Sequence, residues 1–143
     1  MKIYKKKDNK KRKRLIHKRR KIQVKPIFPF KSQLEKYIYK KIQHQFPELK
    51  IYINEKGLIK SNKKFELDLY FPKYKIGIEI QGPFHTKNIN VILKDYRKKI
   101  QFLWERNIRI IYIYTNTNEN KKYGIKKCIK VLNREKEKHL IKE

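Results

Sequence analysis

Two segments of alternating apolar and polar residues, only four residues apart, constrain the fold of this chain most strongly. Their alternation predicts strands over about Phe65 to Phe71 and over Ile76 to Gln81. The intervening residues, Pro72 to Lys75, leave room only for a short turn. We therefore expect an antiparallel pair of strands in which Phe71 lies opposite Ile76.

This pairing places two acidic side chains next to each other in the expected sheet. Asp68 falls opposite Glu79, and strand alternation points both side chains to the same face. Facing carboxylates repel one another unless a positive charge lies between them. Mg²⁺ prefers oxygen ligands and fits that position, so we predict Asp68 and Glu79 as metal ligands. The alternative is an ion pair with one of the abundant lysines, such as Lys64 or Lys94.

The rest of the chain alternates between helical and strand periods. The predicted elements are a helix from the N-cap Ser32 to Pro47, a strand over 49–53 before a turn at 54–57, a helix over 90–106, a strand over 108–115 and a helix over 121–140. The residues expected on the buried face of helix 90–106 are Leu93, Tyr96, Ile100, Leu103 and Trp104. The order αβββαβα predicts an α/β fold, with a four-stranded mixed sheet flanked by helices.

The charge of the chain indicates a polyanionic partner. Its 143 residues include 41 Lys or Arg against 13 Asp or Glu, a formal net charge of +28. This excess favours RNA or DNA over an anionic membrane surface. No apolar run approaches the length of a membrane-spanning helix, and the single cysteine excludes an internal disulfide. We expect an intracellular nucleic-acid-binding protein without a membrane partner.

The first residues are the most basic part of the chain. Residues 1 to 25 carry 14 Lys or Arg and one acid, a net +13, without a helical or strand period. With little apolar surface to bury, they are expected to be disordered without a partner. We predict a basic RNA-binding tail over residues 1–30 and a folded domain over 31–143; a solvated or nuclear-targeting run is the alternative. The predicted phosphate contacts in the tail are Lys5, Lys6, Lys7, Lys10, Lys11, Arg12, Lys13, Arg14, Lys18, Arg19, Arg20 and Lys21.

The stretch FELDLYFPKYKIGIEIQGPFH resembles the PD-(D/E)XK nuclease superfamily, as do the preceding SQLE and the following KDYRKKIQFLWERNIRIIYIYT. It is most similar to the branch of very-short-patch-repair and small homing endonucleases, and to the RAP domain of organellar RNA-associated proteins. The resemblance covers about Ser32 to Thr115 and implies a restriction-endonuclease-like core with Mg²⁺-dependent phosphodiester hydrolysis. The catalytic positions that it implies are Glu35, Asp68, Glu79, Gln81 and His85.

One of these positions departs from the family pattern, because Gln81 stands where the family more often has a lysine that positions the attacking water. A glutamine supplies no positive charge, so the sequence predicts an inactive or weakly active site. The basic residues of the second long helix, Lys94, Arg97 and Lys98, are interpreted as a solvated face that contacts phosphate. The alternative is that one of them replaces the missing lysine.

Two of the predicted site residues also have purely structural interpretations. Glu35 follows Ser32 at the spacing of a capping box, in which the glutamate side chain returns to the N-cap N–H. His85 follows Gly82 and Pro83 and is equally suited to a turn or a packing role.

Two functions are consistent with the sequence. The favoured one is an RNA-binding structural component of a large ribonucleoprotein such as a mitochondrial ribosome, with ribosomal RNA and neighbouring proteins as partners. The alternative is a small Mg²⁺-dependent DNA endonuclease of homing or very-short-patch-repair type. The absence of alanine and the abundance of Lys, Ile and Asn indicate an AT-rich coding sequence. This favours a mitochondrion or other organelle, with an AT-rich bacterium or phage as the alternative origin.

Overall fold

A four-stranded mixed sheet and three helices make up the residues that the computed structural model describes, 29–82 and 88–142. No helix within these ranges is long and apolar enough to cross a membrane. The elements are α1 (Gln33–Gln45), β1 (Tyr52–Lys56), β2 (Glu66–Phe71), β3 (Ile76–Gln81), α2 (Ile89–Arg106), β4 (Arg109–Tyr114) and α3 (Asn118–Lys142). Their order along the chain is the predicted one.

The strands lie in the order β1-β2-β3-β4. β2 runs antiparallel to both β1 and β3, and the predicted pairing of Phe71 with Ile76 is confirmed. β4 runs parallel to β3 from Ile76 opposite Arg109 to Gln81 opposite Tyr114. Parallel neighbours need a long crossover connection, which here contains α2.

Two buried apolar clusters hold the helices against the sheet. The first includes Ile38 and Ile42 of α1, together with Cys128 and Leu132 of α3, as their helical spacing predicts. The second is smaller and contains Phe102, the buried apolar residue of α2. Because successive side chains of a strand point to opposite faces, β4 contributes its isoleucines to both clusters.

The predicted buried face of α2 is wrong. All five residues assigned to it are exposed: Leu93 at 46%, Tyr96 at 62%, Ile100 at 36%, Leu103 at 46% and Trp104 at 84%. The helix instead turns Val91, Asp95, Lys98 and Phe102 toward the sheet, at spacings of four and three residues. The sheet face beneath α2 carries polar side chains, so a lysine and an aspartate of the helix can pack against it.

The first strand also differs from its prediction. The sequence placed it over 49–53, with a turn at 54–57, whereas β1 continues through Lys56, which pairs with Glu66. Asn54, a turn-forming residue type, lies inside the strand with φ at 52°. Pairing with β2 therefore overrides the local turn preference, and the chain leaves the strand only at Gly57.

A close approach of α3 to β4 makes Gly124 sensitive to substitution. A Cβ atom there would lie 2.8 Å from Ile113 Cγ2 and 3.2 Å from Ile113 Cα. We expect Gly124→Ala to destabilise the protein by about 1–2 kcal/mol, because overpacking outweighs the better helix propensity of alanine. Denaturant unfolding measures this difference. Gly82→Ala is the control, since a Cβ there meets nothing within 4 Å; equal stability of the two variants would contradict the described packing.

Candidate active site

A cavity of about 610 Å³ lies between the start of α1, the ends of β2 and β3, and α2. Four of the predicted catalytic residues line it: Glu35, Asp68, Glu79 and Gln81. Lys94 and Lys98 of α2 line it as well. We call this cavity the carboxylate pocket.

Asp68 and Glu79 lie side by side in the pocket, as the strand register predicts. The two carboxyl groups lie close enough for the charge of Asp68 to raise the pKa of Glu79. The backbone N–H of Ile80 donates to Asp68 Oδ2 at 2.7 Å, which fixes the orientation of this carboxyl group. The two side chains therefore come from adjacent strands and meet at one point.

Lys98 supplies a positive charge at that point. Its Nζ donates to Glu79 Oε1 at 2.6 Å and to the backbone carbonyl oxygen of Glu66. Its side chain is only 14% exposed. The interpretation of Lys98 as part of a solvated face is therefore wrong, whereas Lys94 and Arg97 on the same helix are exposed.

Burial and mutual repulsion keep a proton on this carboxyl pair. Burial is the largest cause and the charge of Asp68 the second, and together they raise the pKa of Glu79 to about 8 against the opposing effect of Lys98. Burial also raises the pKa of Asp68, although the N–H of Ile80 lowers it. An added positive charge beside two such carboxyl groups would relieve their mutual repulsion, so the pair suits a bound cation.

Glu35 takes part in the N-cap of α1 through its backbone and lines the carboxylate pocket with its side chain. Ser32 Oγ accepts a hydrogen bond from the Glu35 backbone N–H at 3.1 Å, so the predicted N-cap is present. The Glu35 side chain is 4% exposed and faces the pocket. Burial and then the charge of Asp68 raise its pKa. Its Oε1 has no hydrogen-bond partner among the described residues, so capping alone does not account for its position.

The mouth of the pocket carries an ion-pair cluster that the sequence did not predict. Glu66 pairs with Lys31 and, at 3.5 Å, with Lys56. Lys31 also lowers the pKa of the Asp68 carboxyl through its charge. Lys98 also contacts Glu66, through its backbone carbonyl oxygen. The three lysines come from separate parts of the chain, so no local spacing in the sequence indicates that they meet.

The remaining predicted site residues fall into two groups. Gln81 is 3% exposed, and its backbone carbonyl oxygen accepts hydrogen bonds from the Thr115 N–H at 3.0 Å and from the Thr115 hydroxyl at 2.8 Å. His85 and all the predicted basic residues of the tail lie outside the described residues.

The donor chemistry of the pocket fits a hard divalent cation. Oxygen atoms of Asp68 and Glu79 meet in one place, and Mg²⁺ is commonly held by one or two carboxylates together with phosphate oxygens and waters. Within residues 29–82 and 88–142, no group of three or more His, Cys, Asp or Glu forms a metal cluster. A metal here would therefore depend on these two carboxylates.

Comparison with known proteins does not assign the chain to a family or a fold group. No family model, no curated protein and no solved structure matches it.

The raised pKa of Glu79 predicts how stability depends on pH. Between its ordinary value of 4.5 and about 8, the folded protein holds a proton that the unfolded chain has released. Stability should therefore fall as the pH rises through this window. We expect Glu79→Gln to flatten the decline in melting temperature measured from pH 5 to about pH 8.5, because the amide does not titrate. An equal decline of melting temperature with pH in both proteins would contradict the raised pKa.

Proposed function

We propose that the carboxylate pocket is the active site of a divalent-metal-dependent phosphodiesterase that acts on nucleic acid. The observation that carries this proposal is the position of Lys98, whose Nζ lies 2.6 Å from Glu79 Oε1, next to Asp68. In an ion pair that only stabilises the fold, one acidic side chain is enough to balance one lysine. A second, partly buried carboxyl group beside the pair, raised in pKa and open to a cavity, is typical of a catalytic site.

The proposal reverses the expectation of a weakly active site. That expectation rested on Gln81, which brings no positive charge at the end of β3. Lys98 offers an alternative source of that charge from α2, a different element of the fold. Gln81 lines the same pocket and can orient a water molecule by hydrogen bonding.

Each residue of the pocket has a role in this scheme. Asp68 and Glu79 would hold Mg²⁺ through their carboxylate oxygens, together with the backbone carbonyl of Ile80. The metal, when bound, supplies Lewis-acid activation of water and charge neutralisation at the phosphate. Lys98 holds Glu79 in place and presents its ammonium group to the negative charge that develops on the phosphate. Lys94, exposed at the pocket lining, attracts the phosphate backbone of the substrate.

The arrangement of elements supports a restriction-endonuclease-like core as part of this proposal. The paired carboxyl groups lie on β2 and β3, and a helix-containing crossover leads to the parallel strand β4. Glu35 lies on the helix before β1 and reaches the same pocket. These are the positions that the resemblance to PD-(D/E)XK nucleases implies.

A second candidate function is RNA binding within a ribonucleoprotein, such as that of a mitochondrion, and the charge distribution favours it. Residues 1 to 25 carry a net +13, and the other 118 residues carry +15. Phosphate neutralisation by so many basic side chains supplies affinity without requiring cleavage. The two functions are compatible, since a nuclease also needs to hold its substrate.

Deleting residues 1 to 25 should weaken RNA binding strongly while the folded part stays intact. The deletion removes 14 of 41 basic side chains. Each lost phosphate contact makes the plot of log affinity against log salt shallower by about 0.7–0.9. Filter binding at several salt concentrations measures both effects, and circular dichroism checks the fold. Identical salt slopes for the full-length and shortened proteins would show that the tail does not contact phosphates.

A cleavage assay tests the proposed function. Purified protein is incubated with end-labelled RNA and DNA, in single-stranded and duplex form, in Mg²⁺, in Mn²⁺ or in EDTA. We expect cleavage with either metal and none in EDTA. The absence of cleavage from every substrate in both metals would overturn the proposal and leave RNA binding as the function.

A further inference from the structure

Four tyrosines line a groove beside the carboxylate pocket, which we call the tyrosine groove: Tyr96, Tyr112, Tyr114 and Tyr123. It consists of a cleft of about 180 Å³ between α2 and β4 and a cleft of about 310 Å³ between β4 and α3. Both clefts share Tyr112 and Tyr114. Tyr96, Tyr114 and Tyr123 are 62%, 43% and 70% exposed, so their rings are available to a ligand.

The middle of the groove is a fixed aromatic platform. The rings of Tyr112 and Tyr114 stack with centroids 6.4 Å apart and an angle of 28° between their planes. The Tyr112 hydroxyl donates to the backbone carbonyl oxygen of Asp95 at 2.7 Å. The next residue after Tyr114 is Thr115, whose N–H and hydroxyl both donate to Gln81. The platform is therefore tied to β3 and α2, the elements that build the carboxylate pocket.

The tyrosine groove lies next to the carboxylate pocket, on the other flank of α2. Asp95 lines both the pocket and the first cleft. In the parallel register, Tyr112 lies opposite Glu79 and Tyr114 opposite Gln81. The tyrosine platform therefore lies one strand away from the carboxyl pair, a spacing that neighbouring nucleotides of one strand would span.

We propose that the tyrosine groove binds unpaired nucleotides of single-stranded RNA by stacking their bases on its exposed rings. Bases in a duplex already stack on one another, whereas unpaired bases are free to stack on aromatic side chains. Lys99 in the first cleft and Lys127 in the second lie where phosphates of the same strand pass. A second copy of the chain would bring its own +28 to this basic surface, which disfavours it as the occupant.

An amide pair in the second cleft favours RNA over DNA. Asn120 Nδ2 donates to Asn116 Oδ1 at 2.7 Å, and both residues line the cleft with Tyr123. Their amides combine donors and acceptors, which suits a 2′-hydroxyl, itself both donor and acceptor. This inference rests on the proposed function, because it names the substrate that reaches the pocket: RNA with unpaired nucleotides.

Binding of a short single-stranded RNA that contains 2-aminopurine tests this inference. The full-length protein is titrated in EDTA, so cleavage does not enter, and at elevated salt, which reduces the phosphate contribution. We expect Tyr114→Ala and Tyr123→Ala each to weaken binding by about 5- to 100-fold. Tyr114→Phe should bind as the unmodified protein does, because it keeps the ring. Stacking on the groove should also quench the 2-aminopurine fluorescence, and the alanine variants should lose this quenching.

Tyr37→Ala is the matched control, because Tyr37 is 45% exposed on α1, outside the groove. An equal loss of affinity in Tyr37→Ala, or an equal loss for duplex RNA, would overturn the inference. Equal binding of single-stranded DNA would overturn the assignment to RNA. Self-association that disappears in Tyr114→Ala would identify a second copy as the occupant instead. Stacking in EDTA without any cleavage in Mg²⁺ would support RNA binding by the tyrosine groove and overturn the proposed function.

Discussion

Replacing Lys98 with methionine should lower the rate of metal-dependent cleavage by about 100-fold or more, because it removes the positive charge from the pocket. Methionine keeps most of the length of the side chain and none of its charge. The ammonium group of Lys98 contacts Glu79 Oε1 at 2.6 Å, and the Lys98 side chain is 14% exposed, so solvent screens this charge little. Single-turnover cleavage at saturating protein isolates the chemical step from substrate binding.

Lys40→Met is the matched control for Lys98→Met. Lys40 is an exposed lysine of α1 that does not line the carboxylate pocket, so its replacement removes the same formal charge outside the site. We expect its cleavage rate to stay within about two-fold of the unmodified protein, since scattered surface charges contribute little to a chemical step. Melting curves of both variants show whether Glu79, left without its lysine, weakens the fold. Equal rates for Lys98→Met and Lys40→Met would place the catalytic charge elsewhere.

The sheet was largely predictable because local pattern and tertiary pairing agree there. Residues 76–81 alternate strictly and follow a short turn, so the bounds of β3 and its pairing with β2 are confirmed. The ladder of β2 and β3 ends at Leu69 opposite Ile78, and extending it by one residue predicts that Asp68 and Glu79 are neighbours. In β1 the two signals conflict: Asn54 and Gly57 indicate a turn, whereas pairing with β2 holds Lys56 in the sheet.

The position of Lys98 was not predictable from apolar periodicity. The apolar residues of α2 form a regular stripe, and that stripe is exposed, with Trp104 at 84%. A helix that covers a polar site turns its polar stripe inward, so the ordinary assumption about amphipathic helices fails at this element. One sequence signal points the right way: Asp95, Lys98 and Phe102 share a face at helical spacing, opposite a strand pair that carries two acids.

The loss of cleavage in Asp68→Asn tests most directly whether the carboxylate pocket is the active site. Asparagine preserves the shape of the side chain and removes its charge, so a metal loses a carboxylate ligand while the fold is retained. Glu48→Gln is the control, because Glu48 is an exposed acid whose ion pair with Lys136 lies outside the pocket. We predict that Asp68→Asn lowers the single-turnover cleavage rate in Mg²⁺ by about 10²- to 10³-fold, with RNA binding in EDTA unchanged and Glu48→Gln fully active. Cleavage by Asp68→Asn at the rate of the unmodified protein would contradict the assignment of the site.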